Sequence, residues 1–576
     1  MSSIFPLVAM IFLWGLSDGD TDTLDIMTTW EWTEYSDRSQ ALWGAEACTL
    51  PDDIRVQGRL HIRADRRFGV RTEDDLSRYD GSAISLTQRY SLSVGQWHFG
   101  TSLDKDRYEP SLADLSRFYG SYKTDNGSLL VGDFHITAGY GLSLWTRPHY
   151  YDTFDAPTVY RYKDNDLRSA TETQQNSGLR GFAASRTWNN NKQLILFASR
   201  TLYDASIANG TDIQRLSNSG LHRTDGENLK KNSITETAAG GTFQLNSTVD
   251  NFDLDITFSG YTAHYNPPFT PAITPRDRFP FIGKIVRSFG FGAQITPADG
   301  SFVLSSEIAQ DRQKHTAWMM TIIRNKSTSI RYFFALYHYP RSYLNPHSRP
   351  PTGTSEAQNQ TGTALMITGR PSVLMINHCR FHLELERHQW RTWTIPCPSI
   401  KAKSSVELHW KMANNSTLIA RYRRKDNYDG NGEENEPSRN QENKIRLTWS
   451  KMGRPVLGGK IWLEGVVHRV ETNPYDYGIM VGGSARGNFY KNIRCNVILV
   501  SFLTQKDVYI YIGEGSLPDR IASVRLNGRG FRWLVSLTGR QGRWNWLAIQ
   551  ASQTLRRSNS GDTELYVTLS HKFNMQ

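Results

Sequence analysis

Two sets of residues have the types and spacing for acid–base chemistry. Asp204, His222, Arg223, Asp225 and Glu227 fall within the charged stretch Tyr203 to Glu236, where an imidazole among carboxylates could move protons. The plainer account of the same set is a salt-bridge and hydrogen-bond network holding a loop or plug. That account is favoured, since the stretch has no strand period and long structureless loops serve function or stay disordered. Asp133 and His135, two positions apart, share a strand face. A polar row lining a water-filled interior explains them better than an acid–base pair does. His378, Cys379, His382 and Cys397 are metal-ligating types. On an extended strand at ~3.3 Å per residue the two imidazoles stand well over about 10 Å apart. His–zinc bonds are only ~2.0–2.1 Å long, so no single ion takes both. Metal is rejected there, and no cofactor is expected. With no HExxH, P-loop or GxSxG turn in the chain, no catalytic residue is assigned.

The elements that carry these residues are strands. In Phe118 to Trp145, apolar and polar positions alternate on either side of Asp125-Asn126-Gly127-Ser128. Alternation with a period of two marks a strand with two different faces, and Asn-Gly suits a tight positive-φ hairpin turn. The same grammar recurs to the end of the chain. Hairpins are predicted for Ile84 to Leu92 with Trp97 to Leu103, and for Gly181 to Trp188 with Gln193 to Thr201. Others are Lys284 to Ile295 with Ser301 to Ala309, and His315 to Arg324 with Ser329 to Tyr337. Asp152 to Gln175 reads as a loop or partial plug, and Tyr339 to Gln360 as a Pro-rich loop. The count is roughly 22–26 strands, inside the range of large membrane barrels.

Composition agrees. Only 38% of the 576 residues are hydrophobic, too few for several solid cores, whereas 12% are aromatic. Gly and Pro are scattered, which disfavours long helices. The fold class expected is therefore all-β, a large antiparallel transmembrane barrel with long loops or a partial plug. Residues 1–17 read as a signal-like segment, since the apolar run Ile4 to Leu16 is too short to span a membrane. Residues 18–53 read as a periplasmic or extended lead-in, and 54–576 as the barrel. Free thiols are preferred over a disulfide between Cys379 and Cys397, the one pairing worth considering among Cys48, Cys379, Cys397 and Cys495.

The formal charge of +11 is dispersed, which argues against a nucleic-acid footprint. Arg55, Arg59 and Arg63 alternate with Val56, Leu60 and Ile62. Three arginines on one strand face cannot enter a dry core unpaired, so they are expected to face a wet lumen. Arg421 and Arg423 are assigned to the same wet side, the run Arg421 to Lys425 being read as a strand end opening an acidic loop.

Ordered blocks from about Asp53 onward resemble the barrel region of helix-hairpin-helix domain-containing envelope proteins of Bacteroidetes, Ignavibacteria and Gemmatimonadetes type. They are RVQGRLHIRADRRFG, GQWHFGTSLDKDRYEP, VGDFHITAGYGLSLW, SRTLYDASI with SGLHRTDGENLKKNSITE, RYFFALYHYPRSYLNPHSRP and VYIYIGEGSLPDRIASVRLNGRGFRW. The resemblance makes Gly132, Asp133, Gly139 and Gly141 a motif strand, and Asp204, His222, Arg223 and Glu227 a loop or plug network. No Gly-containing helical pair is found in the first 53 residues, so the helix-hairpin-helix modules are read as missing and no direct nucleic-acid binding is expected. The expected function is a channel or conduit in a Gram-negative type outer membrane, or the membrane anchor of an envelope complex. Its partners would be outer-membrane lipid and other envelope proteins. An outer-membrane enzyme, a component of DNA uptake and a soluble secreted β-rich binding protein are the alternatives.

Overall fold

Short turns and alternating strands lock together pairwise along almost the whole chain. The computed structural model describes residues 56–575 apart from 69–78, 80, 148–159, 209–211, 218, 272, 274–278, 325–329, 352–355, 372–375, 392–397, 413–414, 431–436, 452–456, 472–473, 491, 507, 515–522, 542–543 and 557–561. The fold is that of one unit, Gln57–Phe573; of the residues grouped apart from it, only Val56, Asn574 and Met575 are described, as strand ends. The signal-like and lead-in segments, Arg55, Cys48 and Cys397 lie outside the described residues.

Of the 29 strands described, five are accessory: Lys163–Ser169, Ala205–Ala208, Asp212–Leu216, Ile510–Gly513 and Ser523–Leu526. The other 24 form an antiparallel wall, each paired with its neighbour, and Val56–Phe68 pairs with both Ile84–Val94 and Asp562–Met575. The sheet is thereby closed into a barrel, with no edge strand left in the ring. The expected strand count brackets this number.

The hairpins show how the chain turns. Leu115–Thr124 and Gly127–Gly139 meet at Thr124↔Gly127, so the connecting residues are Asp125 and Asn126. Neither has positive φ, which corrects the expected positive-φ Asn-Gly turn. Gly127 serves a different need: a Cβ there would lie 2.4 Å from the Ser185 carbonyl oxygen of the next strand. Positive φ appears instead at Asn189 and Asn190, between Leu179–Trp188 and Lys192–Tyr203, where short polar side chains tolerate it.

The connections at the two ends differ in length, with exceptions such as the brief 312–315 at the end that carries the long loops. At one end they are brief: 95–96, 125–126, 189–191, 250–251, 298–301, 412–415, 491–492 and 542–543. At the other lie 106–114, 140–178, 204–233, 270–282, 340–359 and 505–528. The first wall strand starts and the last one finishes at the short-turn end, the arrangement of bacterial membrane barrels.

The outward row is apolar. On Phe252–Phe269, Phe258 is half exposed while Thr257, Ser259 and Tyr261 are buried on the opposite row. Leu196, Phe289, Ile308, Ile461, Val481 and Leu499 repeat this outward exposure around the wall. Aromatic residues concentrate near both rims: Trp97, Trp188, Phe252, Tyr332 and Trp449 toward the short turns, Phe118, Trp318, Tyr477 and Phe531 toward the long loops. An exposed apolar belt between two aromatic girdles is a surface built for lipid, not for water. The wall is that of a membrane-spanning barrel.

Two charged stretches hold more structure than their sequence suggests. Tyr203 to Glu236 contains Ala205–Ala208, Asp212–Leu216 and a short helix, Asp225–Asn228, and Asp152 to Gln175 contains Lys163–Ser169. Arg421 to Lys425 is no strand end; it lies in the middle of Ser416–Gly430.

Candidate functional site: the lumen and its inserts

The inward row does not simply face water. After Gly139 the chain leaves its strand and turns into the barrel, where Glu307, 2% exposed on Phe302–Asp311, accepts the backbone N–H groups of Tyr140 at 2.5 Å and of Leu142 and Ser143 at 3.1 Å. Three backbone donors on one carboxylate satisfy both its charge and a turn that would otherwise be buried unpaired. Gly139 and Gly141 make the turn possible, at φ +56° and +80°; a Cβ on Gly141 would stand 2.8 Å from the Arg349 carbonyl oxygen. Tyr140 reaches Thr321 at 2.5 Å, and Ser143 Oγ touches Ser259 Oγ.

A second loop, 340–350, grips the first. Asn345 Nδ2 donates to the carbonyl oxygens of Leu142 and Ser143 at 2.8 and 2.9 Å. The Arg349 N–H donates to Gly141 O, and the Trp145 N–H to His347 O, each at 2.8 Å. His347 Nε2 lies 2.9 Å from a carboxylate oxygen of Glu236, a fully buried residue that also accepts the Tyr265 hydroxyl. Around these anchors two apolar clusters fill that side of the barrel, one with Phe134, Ile136, Phe197 and Tyr265, the other with Tyr140, Leu142, Phe333 and Tyr343. A third insert, the hairpin Ile510–Gly513 with Ser523–Leu526, packs Val508, Ile510 and Leu526 on Val466, Met480 and Phe502 of the wall strands that precede it.

Outside the wall strands, the long loops are clasped around His222. Its Nδ1 is 2.5 Å from Asp114, its Nε2 is 3.0 Å from Asp204, and its backbone N–H donates to Glu109 at 3.0 Å. Burial alone would lower the imidazole pKa, but the two carboxylates outweigh it and push it up to about 9. Lys231 closes the group on Asp114 at 2.5 Å, and Arg223 pairs with Glu227 at 2.6 Å. Glu109, Asp114 and His222 stand close enough to suggest a metal centre. The donor set does not fit one: both imidazole nitrogens are engaged by carboxylates and a lysine occupies Asp114. Asp204 and His222 are hydrogen-bonded to each other, and Arg223 and Glu227 form an ion pair in the same loop.

Asp133 and His135 part company. Asp133 faces outward at the long-loop rim, where it takes Arg180 at 2.9 Å and the Phe118 N–H at 2.8 Å, while Arg180 lies over the Phe118 ring. It is not a lumen residue. Gly132, at φ +106°, begins this departure from regular strand geometry. His135 is buried and bonded to Glu172 instead. His378 stacks edge-on against His409 of the adjacent strand, and Cys379 and Cys495 are free thiols.

The basic residues form the larger pattern. Arg59 and Arg63 share the row of buried His61, and Arg63 donates to Thr87 at 3.0 Å. Across the wall from Ile376–His388 to Ile493–Thr504, the outward row holds Phe381, Leu385, Tyr422, Ile445, Ile461 and Val481. The opposite, inward row holds Arg380, Lys401, Lys403, Arg421, Arg423, Lys444, Arg446, Lys460, Arg486 and Arg494, placed side by side by the registers Glu407↔Arg421↔Arg446↔Glu464 and Ser405↔Arg423↔Lys444. The carboxylates on this row are fewer: besides Glu442 and Asp476, Glu384 meets Lys403 at 3.0 Å, Glu386 meets Lys401 at 3.4 Å, Glu407 meets Arg421, and Glu464 meets Lys444 at 2.5 Å. Lys401, Lys403, Lys444 and Arg446 were legible only as every-second-residue bases in KAKSS and NKIRL.

No family model and no curated protein matches the sequence. Solved structures similar in fold include the ferric enterobactin receptor PfeA of Pseudomonas aeruginosa in a mutant form, at 7% identity and TM-score 0.43 over 90% of this chain and 80% of that one. The siderophore receptor PirA of the same organism gives 7% and 0.39 over 91% and 81%. The translocation pore of the P pilus usher PapC gives 11% and 0.34 over 91% and 100%. Likeness at this level carries no statement about what the chain does.

Proposed function

We propose that the chain is an outer-membrane barrel that conducts small anionic solutes, with part of its lumen closed by inserted loops. The observation that carries this is the inward basic row from Arg380 to Arg494, set on a wall whose other face is apolar. Fixed positive charge along a water-filled passage concentrates anions and repels cations, and low-dielectric surroundings strengthen the field. Clusters of Arg and Lys could not stay charged in a dry core without partners, so their excess over carboxylates argues for water in this part of the lumen.

The resemblance to the helix-hairpin-helix domain-containing envelope proteins fits this reading. Two of its blocks, VGDFHITAGYGLSLW and RYFFALYHYPRSYLNPHSRP, run from wall strands into the two loops that meet inside the barrel. An enzyme has less support, because His135, His222 and His347 are each engaged by a carboxylate within the fold. The test is reconstitution of the full chain in planar bilayers under a salt gradient. A reversal potential of the sign for anion flow is expected; cation selectivity, or a protein that stays in the aqueous phase without detergent, overturns the proposal.

A further inference from the structure

Where the third insert meets the wall lies a cavity of about 200 Å³. Among the described residues its charged lining is basic, Arg446, Lys460, Arg486 and Arg494, with no carboxylate. These positions are brought together by register: Lys460 pairs with Ser484, Arg486 with Asn496, and Asn488 with Arg494, so the bases lie near the short-turn ends of three successive strands. Ile498 and Ile512 close the apolar side.

Trp462 supplies an independent sign. It lines the cavity, is 4% exposed, and packs on Gly482, where a Cβ would come within 2.4 Å of the indole. Its buried Nε1–H has no acceptor among the described residues. A buried donor without an acceptor costs free energy unless something supplies one. An anion in this cavity, among Arg446, Lys460, Arg486 and Arg494, would do so.

We infer that this cavity is a binding subsite for a small oxyanion, a phosphate or carboxylate group, on the short-turn side of the lumen. The inference rests on the conduit reading and names the group it recognises. Size decides the class: about 200 Å³ holds a phosphate or a short organic acid, but is below the ~300–1,000 Å³ typical of sites for larger ligands. Guanidinium and ammonium donors, an indole N–H and hydroxyls from Ser484, Ser536 and Thr538 offer hydrogen bonds from several directions, with an apolar wall behind them. Conduction requires that such a site hold its ion loosely enough to release it. A partly open pocket, with Arg446 already shared with Glu464 at 3.4 Å, meets that condition.

The test is calorimetric titration of the detergent-solubilised full chain with inorganic phosphate and, separately, with acetate, alongside bilayer conductance. Saturable binding of at least one is expected, and which of the two binds more tightly identifies the group. Lys460→Gln with Arg486→Gln should weaken it at least tenfold. Trp462→Phe, which keeps the ring on Gly482 but removes the N–H, should weaken it severalfold and guards against misfolding of the double variant. Lys123→Gln, exposed on Leu115–Thr124 and far from these strands in the wall order, should leave it unchanged. Failure of both anions to bind, or binding unaltered by the first two variants, overturns the subsite. Anion-selective conductance without binding removes the subsite and keeps the conduit; binding without conductance does the reverse.

Discussion

Glu307 accepts the backbone N–H of Ser143 at 3.1 Å, tying a wall strand to a loop 164 residues earlier in the chain. The same carboxylate holds Tyr140 and Leu142, so it is the point at which the inward loop is fastened to the barrel. Glu307→Ala should therefore free residues 140–147. Each buried donor left without an acceptor costs roughly 1–3 kcal/mol. The expected outcome is larger and noisier single-channel conductance with the barrel still heat-modifiable on gels. Conductance equal to wild type would mean the loop does not limit the passage. Gly141→Ala should act in the same direction, since φ +80° costs a non-glycine residue about 1–2 kcal/mol and its Cβ would press on Arg349.

The His222 clasp predicts a pH window. The folded imidazole titrates at about 9 against an ordinary value of 6.5, because Asp114 and Asp204 favour its charged form over the opposing effect of burial. A raised folded pKa means the stabilisation is fully present below about pH 6.5 and is lost as pH rises through about 9. Limited proteolysis of 204–233 in detergent should find the loop protected at pH 6 and cut progressively faster toward pH 9.5. His222→Ala should be cut readily at both values. A wild-type cleavage rate that does not change over this range would contradict the assignment.

The period of two made the wall legible, because one row must suit lipid and the other water. Ile256 and Phe258 against Asp255, Thr257 and Ser259 are recognisable without coordinates. Arg421 to Lys425 was misread for the same reason. A dense polar run looks like a loop, yet a wet lumen and a paired register with Glu407 and Lys444 let it continue as strand. The inserts were the least legible part. Asn345 bonds Leu142 across 203 residues, and nothing in local periodicity records such a contact. The glycines at 139 and 141 were visible as a motif, but their need for positive φ beside Glu307 and Arg349 emerges only from the folded loop. The charged stretch holding His222 hid two short strands, because four or five residues are too few to display a period.

Charge reversal inside the lumen should alter selectivity without unfolding the wall. Arg421 already meets Glu407, and Arg423 stands beside Lys444 in the register. Arg423→Glu replaces a repulsive neighbour with an attractive one, so the barrel should stay intact while the local field falls. The reversal potential in a salt gradient should move toward that of an unselective pore, and further toward cations in Arg421→Glu with Arg423→Glu. An unchanged potential would place the conducting path away from this strand.

The lipid-facing row gives the sharpest contrast between neighbouring positions. Phe289 is 65% exposed on Gly283–Pro297, while Ser288 beside it is fully buried on the inner row. Phe289→Arg places a charge against the apolar belt, where the cost near the bilayer midplane is about 2–4 kcal/mol. Gln294→Lys, on the inner row of the same strand, should cost little because its head can reach water. Urea unfolding in lipid vesicles, followed by loss of heat-modifiability, measures both. If the two substitutions destabilised equally, Phe289 would not be touching lipid, and the belt would have to be covered by protein instead.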